Sequence, residues 1–136
     1  MNTLLTKTCP CGQLDARRRP LNFEACCGRY LPYWQDCPAP DAQALMRSRY
    51  TAFVLEDKPY LLATWHASQR PERLEFEPAA KWLGLELKSF GITGEDAAEV
   101  EFVARYRSGG RGVRLHERSR FVREDGRWYY LDGETP

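Results

Sequence analysis

The chain has 136 residues, the size of one ordinary domain, and is 43% hydrophobic and 29% charged, as a folded globular chain is and a disordered one is not. Its 20 basic and 19 acidic residues leave a net charge of +1, which gives no argument for nucleic acid or an acidic membrane as the main partner. No run approaches the ~20 apolar residues of a membrane span, and MNTLLTKTCPCG lacks a signal peptide's apolar core, so a cytoplasmic protein is expected.

Four of the five cysteines fall in CPCGQLDARRRPLNFEACCGRYL, residues 9–31. Cys9 and Cys11 flank Pro10, with Gly12 after them; Cys26 and Cys27 are adjacent, with Gly28 after them. Pro10 stiffens its loop and Gly12 allows a tight turn, so the first two sulfurs can face one point. Four thiolates on two short turns can make the tetrahedral site of a structural zinc ion. A disulfide within either close pair is strained. A redox centre would want Cys-x-x-Cys beside a βαβ pattern. Cross-linking between the pairs and unliganded thiols stay open, and a reducing compartment favours Zn2+ on Cys9, Cys11, Cys26 and Cys27. Four thiolates leave no position for water, so such a zinc is structural or a docking platform, not hydrolytic. Cys37, between Asp36 and Pro38, reads as a spare thiol. Arg17, Arg18 and Arg19 are either a solvated basic loop or a contact edge for an acidic partner.

PYWQDCPAP, residues 32–40, has three prolines and reads as a linker. The cysteine-rich segment is therefore placed at 1–36 and a second unit at 37–136. Asp41 is a cap for a helix running to about Leu55, with Ala42, Leu45, Met46, Tyr50, Phe53 and Val54 at helical spacing. Asp57 caps a second helix, with Pro59 in its first turn. A short helical turn is expected from Pro78 to Trp82. Beyond it the pattern alternates with period two: Leu83, Leu85 and Leu87 share a face, Gly91 and Gly94 bracket a turn, and Val100, Phe102, Ala104 and Tyr106 share the next face. Gly109-Gly110 and Asp125-Gly126 are tight hairpin signals. Helices followed by an antiparallel meander make an α+β fold, and a curved sheet over helices would enclose a cavity.

Two-residue turns fix a register. The first hairpin sets Phe102 against Glu117, Val100 against Ser119 and Tyr106 against Val113. The second sets Phe121 against Tyr130 and Ser119 against Asp132. Glu117, Ser119 and Asp132 are then polar groups on an apolar face. They either line a ligand site or sit at a wet rim. On the opposite face Glu101 meets Arg118, Glu99 meets Arg120 and Val103 meets His116, so the arginines read as cross-strand ion-pair partners. His66, closing the second helix in TWH, is a proton carrier at the cavity mouth or a cation placed at a helix C-terminus. Arg47 and Tyr50 lie one helical turn apart. Tyr50, His66, Glu117, Ser119 and Asp132 together are the candidate cavity residues.

CPCG followed by CCGRYL resembles the SEC-C motif, a small zinc-binding motif found at the end of the SecA motor and in many bacterial proteins. The usual interval between the pairs is eight residues; here Cys11 and Cys26 are separated by 14. LMRSRYTAFVLEDKPYLLATWH, WLGLEL, VEFVARY and HERSRFVREDGRWYYLDG are similar to the bacterial YchJ-like family. The resemblance runs from about Cys9 to Gly133 and implies a nuclear-transport-factor-2-like cone as the main body. Many members carry a second SEC-C motif, which this sequence lacks. What the resemblance implies is an architecture and a metal rather than an activity. Three functions follow from the residues: a zinc-binding module joined to a cone and contacting a protein partner through the cysteine-rich segment, a small-ligand binder or enzyme using the cavity, and a thiol redox protein. No P-loop and no GxGxxG is present.

Overall fold

In a computed structural model, which describes residues 7–136, the chain folds as two helices against a four-stranded antiparallel sheet, with a cysteine-rich lobe packed on the first helix. The first six residues of the segment placed at 1–36, and of the stretch read as lacking a leader, lie outside those described.

Helix α1 spans Ala42–Leu55 and α2 spans Lys58–Ala63. Both caps are the expected aspartates: Asp41 Oδ1 accepts the Ala44 N–H at 2.7 Å, and Asp57 Oδ1 accepts that of Tyr60 at 3.2 Å. Glu56 ends α1 in the left-handed conformation, φ 55°, so that α2 turns back across it. The strands are β1 Lys81–Gly94, β2 Ala97–Ser108, β3 Arg111–Glu124 and β4 Arg127–Glu134, side by side in that order.

The β2–β3 register is the one the hairpin rule gives: Ser108 meets Arg111, Phe102 meets Glu117 and Val100 meets Ser119. Val100, Phe102 and Ala104 are buried on the concave face against α1, with Phe121 of β3 beside them. On the convex face Arg118 and His116 both donate to the Glu101 carboxylate, at 3.1 and 2.8 Å.

Elsewhere the strands depart from simple alternation. No helical turn follows Pro78, because β1 has already begun at Lys81. Gly91 and Gly94 lie within β1, and the turn is displaced to Glu95 and Asp96. Bulges break the β1–β2 register between Trp82 and Gly84, between Leu87 and Ser89, and between Ile92 and Gly94. The first makes Leu83 the extra residue. Trp82 therefore faces Tyr106 on the concave side with Leu85 and Leu87, while Leu83 is half exposed.

A further bulge on β4 pairs Phe121 with Tyr130 but Arg120 with Asp132, leaving Leu131 as the extra residue. It lies where the chain after α2 docks on β4: His66 N–H donates to Tyr130 O at 2.7 Å and Tyr130 N–H to Thr64 O at 2.8 Å. Beyond the bulge every β4 side chain changes face. The Asp41 cap joins linker to helix through one hydrogen bond. Asp41→Ala should lower stability by about 1 kcal/mol, read as a shift in the urea midpoint with an unchanged slope.

Candidate functional site

The cysteine lobe is built on a small hairpin. Cys9 N–H donates to Leu21 O at 2.8 Å, Leu21 N–H to Gln13 O at 3.1 Å and Asp15 N–H to Arg19 O at 2.8 Å. Asp15 Oδ1 accepts the backbone N–H groups of Arg17 and Arg19 across the tip, and these bonds, with the Arg19 side chain, hold its carboxyl below the usual carboxylate range. The extra residues of the Cys11–Cys26 interval thus leave as one strand and return as the other, with the arginines exposed at the tip. After Asn22 three 3₁₀ turns, Phe23–Ala25, Cys27–Arg29 and Leu31–Tyr33, carry the second pair. Gly28 is required there: a Cβ would stand 2.8 Å from the carbonyl oxygen and ring of Phe23.

The sulfurs of Cys9, Cys11, Cys26 and Cys27 all lie within 4.8 Å of one another. Cys11 and Cys26 Sγ are 3.5 Å apart, and Cys26 and Cys27 Sγ 4.0 Å. Four sulfurs at about 2.3 Å from a tetrahedral zinc are separated by about 3.8 Å, so the donor set and its spacing fit such an ion. All four are at most 2% exposed and none is disulfide-bonded. Hydrogen bonds among the thiols, above all those of Cys11, pull Cys9 and Cys11 below the ordinary thiol range and push Cys26 and Cys27 above it. Thiols crowded this way share protons, and a cation is what would let all four ionise. Around them Arg47 donates to Cys11 O at 3.0 Å, Arg29 to Cys26 O at 3.1 Å, and Thr51 Oγ1 lies 3.8 Å from Cys9 Sγ.

The five residues expected around a cavity divide. Glu117 and Ser119 do line one, of about 230 Å³, with Met46, Arg49, Phe53, Trp65, Phe102, Leu115 and Tyr130. Glu117 Oε2 accepts the Ser119 hydroxyl at 2.5 Å and the Tyr130 hydroxyl at 3.3 Å. Asp132 is not across from Ser119: the Leu131 bulge turns it to the convex face, where Arg120 Nε holds it at 2.6 Å. Gly133 takes the place opposite Ser119, and the Glu117 carboxyl folds over it. His66 lies outside, bonded to Ser68 Oγ and, at 2.5 Å, to Glu124. Tyr50 is buried edge-on against Trp82, away from the cavity lining.

The residue that sequence reading passed over is Arg49. It is 3% exposed, donates through Nη1 to Leu61 O at 2.8 Å and Thr64 Oγ1 at 2.7 Å, and lies against the Trp65 and Tyr130 rings. Its signal was the spacing Leu45, Arg49, Ala52, Phe53, which puts a cation on the apolar stripe of α1.

A family model for the YchJ middle domain, NTF2-like, matches residues 41–133. A UPF0225 protein of Polaromonas sp. is 62% identical, the match covering 93% of this chain and 92% of the relative. One from Bordetella pertussis is 51% identical, over 93% and 91%. The chain belongs to the YchJ family. Its structural neighbours include a SEC-C motif containing protein from Psychrobacter arcticus, with TM-score 0.80 and 30% identity over 95% of this chain and 82% of that one. A second, from Rhodopseudomonas palustris, has TM-score 0.79 and 31% identity over 96% and 99%. The NTF2-like reading of the α+β body is thereby established, and within the described residues no helix is long and apolar enough to cross a membrane.

Two measurements follow from the packing. Burial pushes the Tyr50 phenol up to about 12, and raises those of Tyr60 and Tyr130 as well. A raised folded-state value favours the neutral phenol, so this stability is complete below about pH 10 and is lost as pH climbs through the folded values. Burial lowers Arg49 to about 10, which acts in the opposite sense. Three phenols outweigh one guanidinium, and the urea midpoint should fall as pH rises from about 10 to about 12. A Cβ on Gly133 would stand 2.4 Å from Glu117 Cδ. Gly133→Ala should therefore swing the Glu117 carboxyl off Ser119 and Tyr130 and cost about 1–2 kcal/mol without unfolding the sheet, as unfolding curves and Ser119 amide shifts would report.

Proposed function

We propose that Cys9, Cys11, Cys26 and Cys27 hold one structural zinc ion, and that the lobe so formed is a protein-binding module carried on the NTF2-like body. The observation that carries this reading is the closed set of four buried sulfurs, all within 4.8 Å of one another. The SEC-C motif containing neighbours support it. So does the hairpin, which absorbs the long interval without separating the pairs. Four sulfur ligands fill a zinc ion's tetrahedron, so the metal would fasten the lobe and perform no hydrolysis. A groove of about 460 Å³ runs beside it, between Arg29, Tyr30, Arg47 and the exposed Phe90 of β1. Two guanidinium groups, an open aromatic ring and a free strand edge suit an acidic protein segment. A cytoplasmic setting, with reduced thiols, is the one this chemistry needs.

Elemental analysis of the protein purified without a histidine tag should find close to one zinc per chain. Cys26→Ser should release it and speed amide exchange over residues 9–31 while the sheet keeps its protection. Protein free of metal, with every thiol titratable, would remove this reading. For the partner class a polyglutamate peptide is the probe. It should shift the Arg29 and Arg47 side-chain resonances, and the effect should fade with added salt; no shift at low salt would exclude an acidic partner in this groove.

A further inference from the structure

The cavity on the other side of α1 contains a charge with no ion-pair partner in contact with it among the described residues. Arg49 commits Nη1 to the Leu61 carbonyl and the Thr64 hydroxyl. Among the described residues its Nε and Nη2 have no hydrogen-bond partner, and no carboxylate lies within 4.0 Å of it. A guanidinium 3% exposed and without a counter-ion is costly in a folded chain. It is nonetheless fixed in place, 5.2 Å from the Trp65 ring centre and 4.6 Å from that of Tyr130. A cation held by stacking, with part of its fork uncommitted, is prepared for a planar anion.

Glu117 stands on the opposite wall. Its Oε2 takes the Ser119 and Tyr130 hydroxyls, while Oε1 has no partner among the described residues. The Glu117 carboxyl depends on Gly133 for its room. The two charges line one cavity without making an ion pair. Between them Met46, Phe53, Phe102 and Leu115 offer apolar surface. The volume, about 230 Å³, is below the about 300–1,000 Å³ of sites for drug-sized molecules, which limits an occupant to about the size of one amino acid.

We propose that this cavity binds a small carboxylate with an apolar body and a hydrogen-bond donor on its α-carbon, an amino or hydroxy acid. Arg49 takes the carboxylate, Glu117 the α-substituent, and Met46, Phe53 and Phe102 the tail. The site is separated from the cysteine lobe by α1 and does not rest on the metal reading.

Titration of the intact protein followed by NMR at the Trp65 indole N–H and the Arg49 Nε–H tests it. Leucine and 2-hydroxy-4-methylpentanoate are the probes; 4-methylpentanoate lacks the donor and 3-methylbutylamine lacks the carboxylate. At least one of the first two should give saturable shifts with a dissociation constant near or below about 1 mM, and which one binds identifies the α-substituent. The acid without a donor should bind about tenfold or more weakly, and the amine should not compete. Glu117→Gln should weaken the α-substituted acid about tenfold or more while leaving 4-methylpentanoate unchanged, a difference that a folding defect would not produce. No saturable shift from either acid at about 10 mM, equal shifts from all four compounds, or unaltered binding by Glu117→Gln would overturn the proposal.

Discussion

Helix α1 is buried on nearly every side, and much of the molecule follows from that. A helix at a surface can leave its polar residues to water. This one has the sheet on one flank and the cysteine lobe on another, yet it carries Arg47, Ser48, Arg49 and Thr51 in one short stretch, broken only by Tyr50. Each must find a partner inside the protein. Ser48 bonds the Tyr60 hydroxyl at 2.6 Å, which ties α2 to α1. Arg49 holds the end of α2 through Leu61 and Thr64. Thr51 lies against Cys9 Sγ, and Arg47 holds the Cys11 carbonyl. The polar stretch of one helix therefore positions both neighbours, and this is why the lobe and the body share one continuous core.

Much of the arrangement was legible because it is set locally. A capping aspartate needs only its own first turn, so Asp41 and Asp57 marked both helix starts. The Gly109-Gly110 turn admits one register, and the β2–β3 pairing follows from counting outward from it. That pairing also sent Arg118 to Glu101 and kept Glu117 and Ser119 on the concave face. Gathering of the four cysteines was legible from their order, and the long interval between the pairs was the point at issue. The hairpin answers it through Asp15, whose side chain organises the tip.

What was not legible is set by contacts distant in sequence. A bulge adds one residue and reverses every face after it. Leu131 is displaced where the chain leaving α2 docks on β4, a meeting of residues 64–66 with residue 130. Nothing in the local alternation of RWYYLDG announces it, so Asp132 was carried onto the wrong face. Leu83 is misplaced for the same reason, since the bulge after Trp82 makes it the extra residue and the local alternation of WLGLEL does not mark it. Arg49 is a different failure. Its position on the apolar stripe was visible, but an arginine beside Arg47 and Tyr50 reads as part of a polar patch until its surroundings are known.

The same economy governs the charge at the cysteine cluster. Four thiolates around a divalent cation would carry a net charge of −2, in a place at most 2% exposed. Uncompensated, that charge would oppose ionisation of the last sulfurs. The guanidinium groups of Arg47 and Arg29 sit on the carbonyls of Cys11 and Cys26, one from α1 and one from the lobe. Two cations fixed on the backbone of the cysteine pairs would offset part of that charge with no sulfur surrendered to a direct ion pair. With a metal bound, Arg47 would thus belong to the cluster's electrostatics as well as to the helix, while Arg49, two residues on, lines the cavity instead. Two arginines of one RSRY stretch thus serve opposite sides of α1, Arg47 on the backbone of the cysteine cluster and Arg49 in the wall of the cavity.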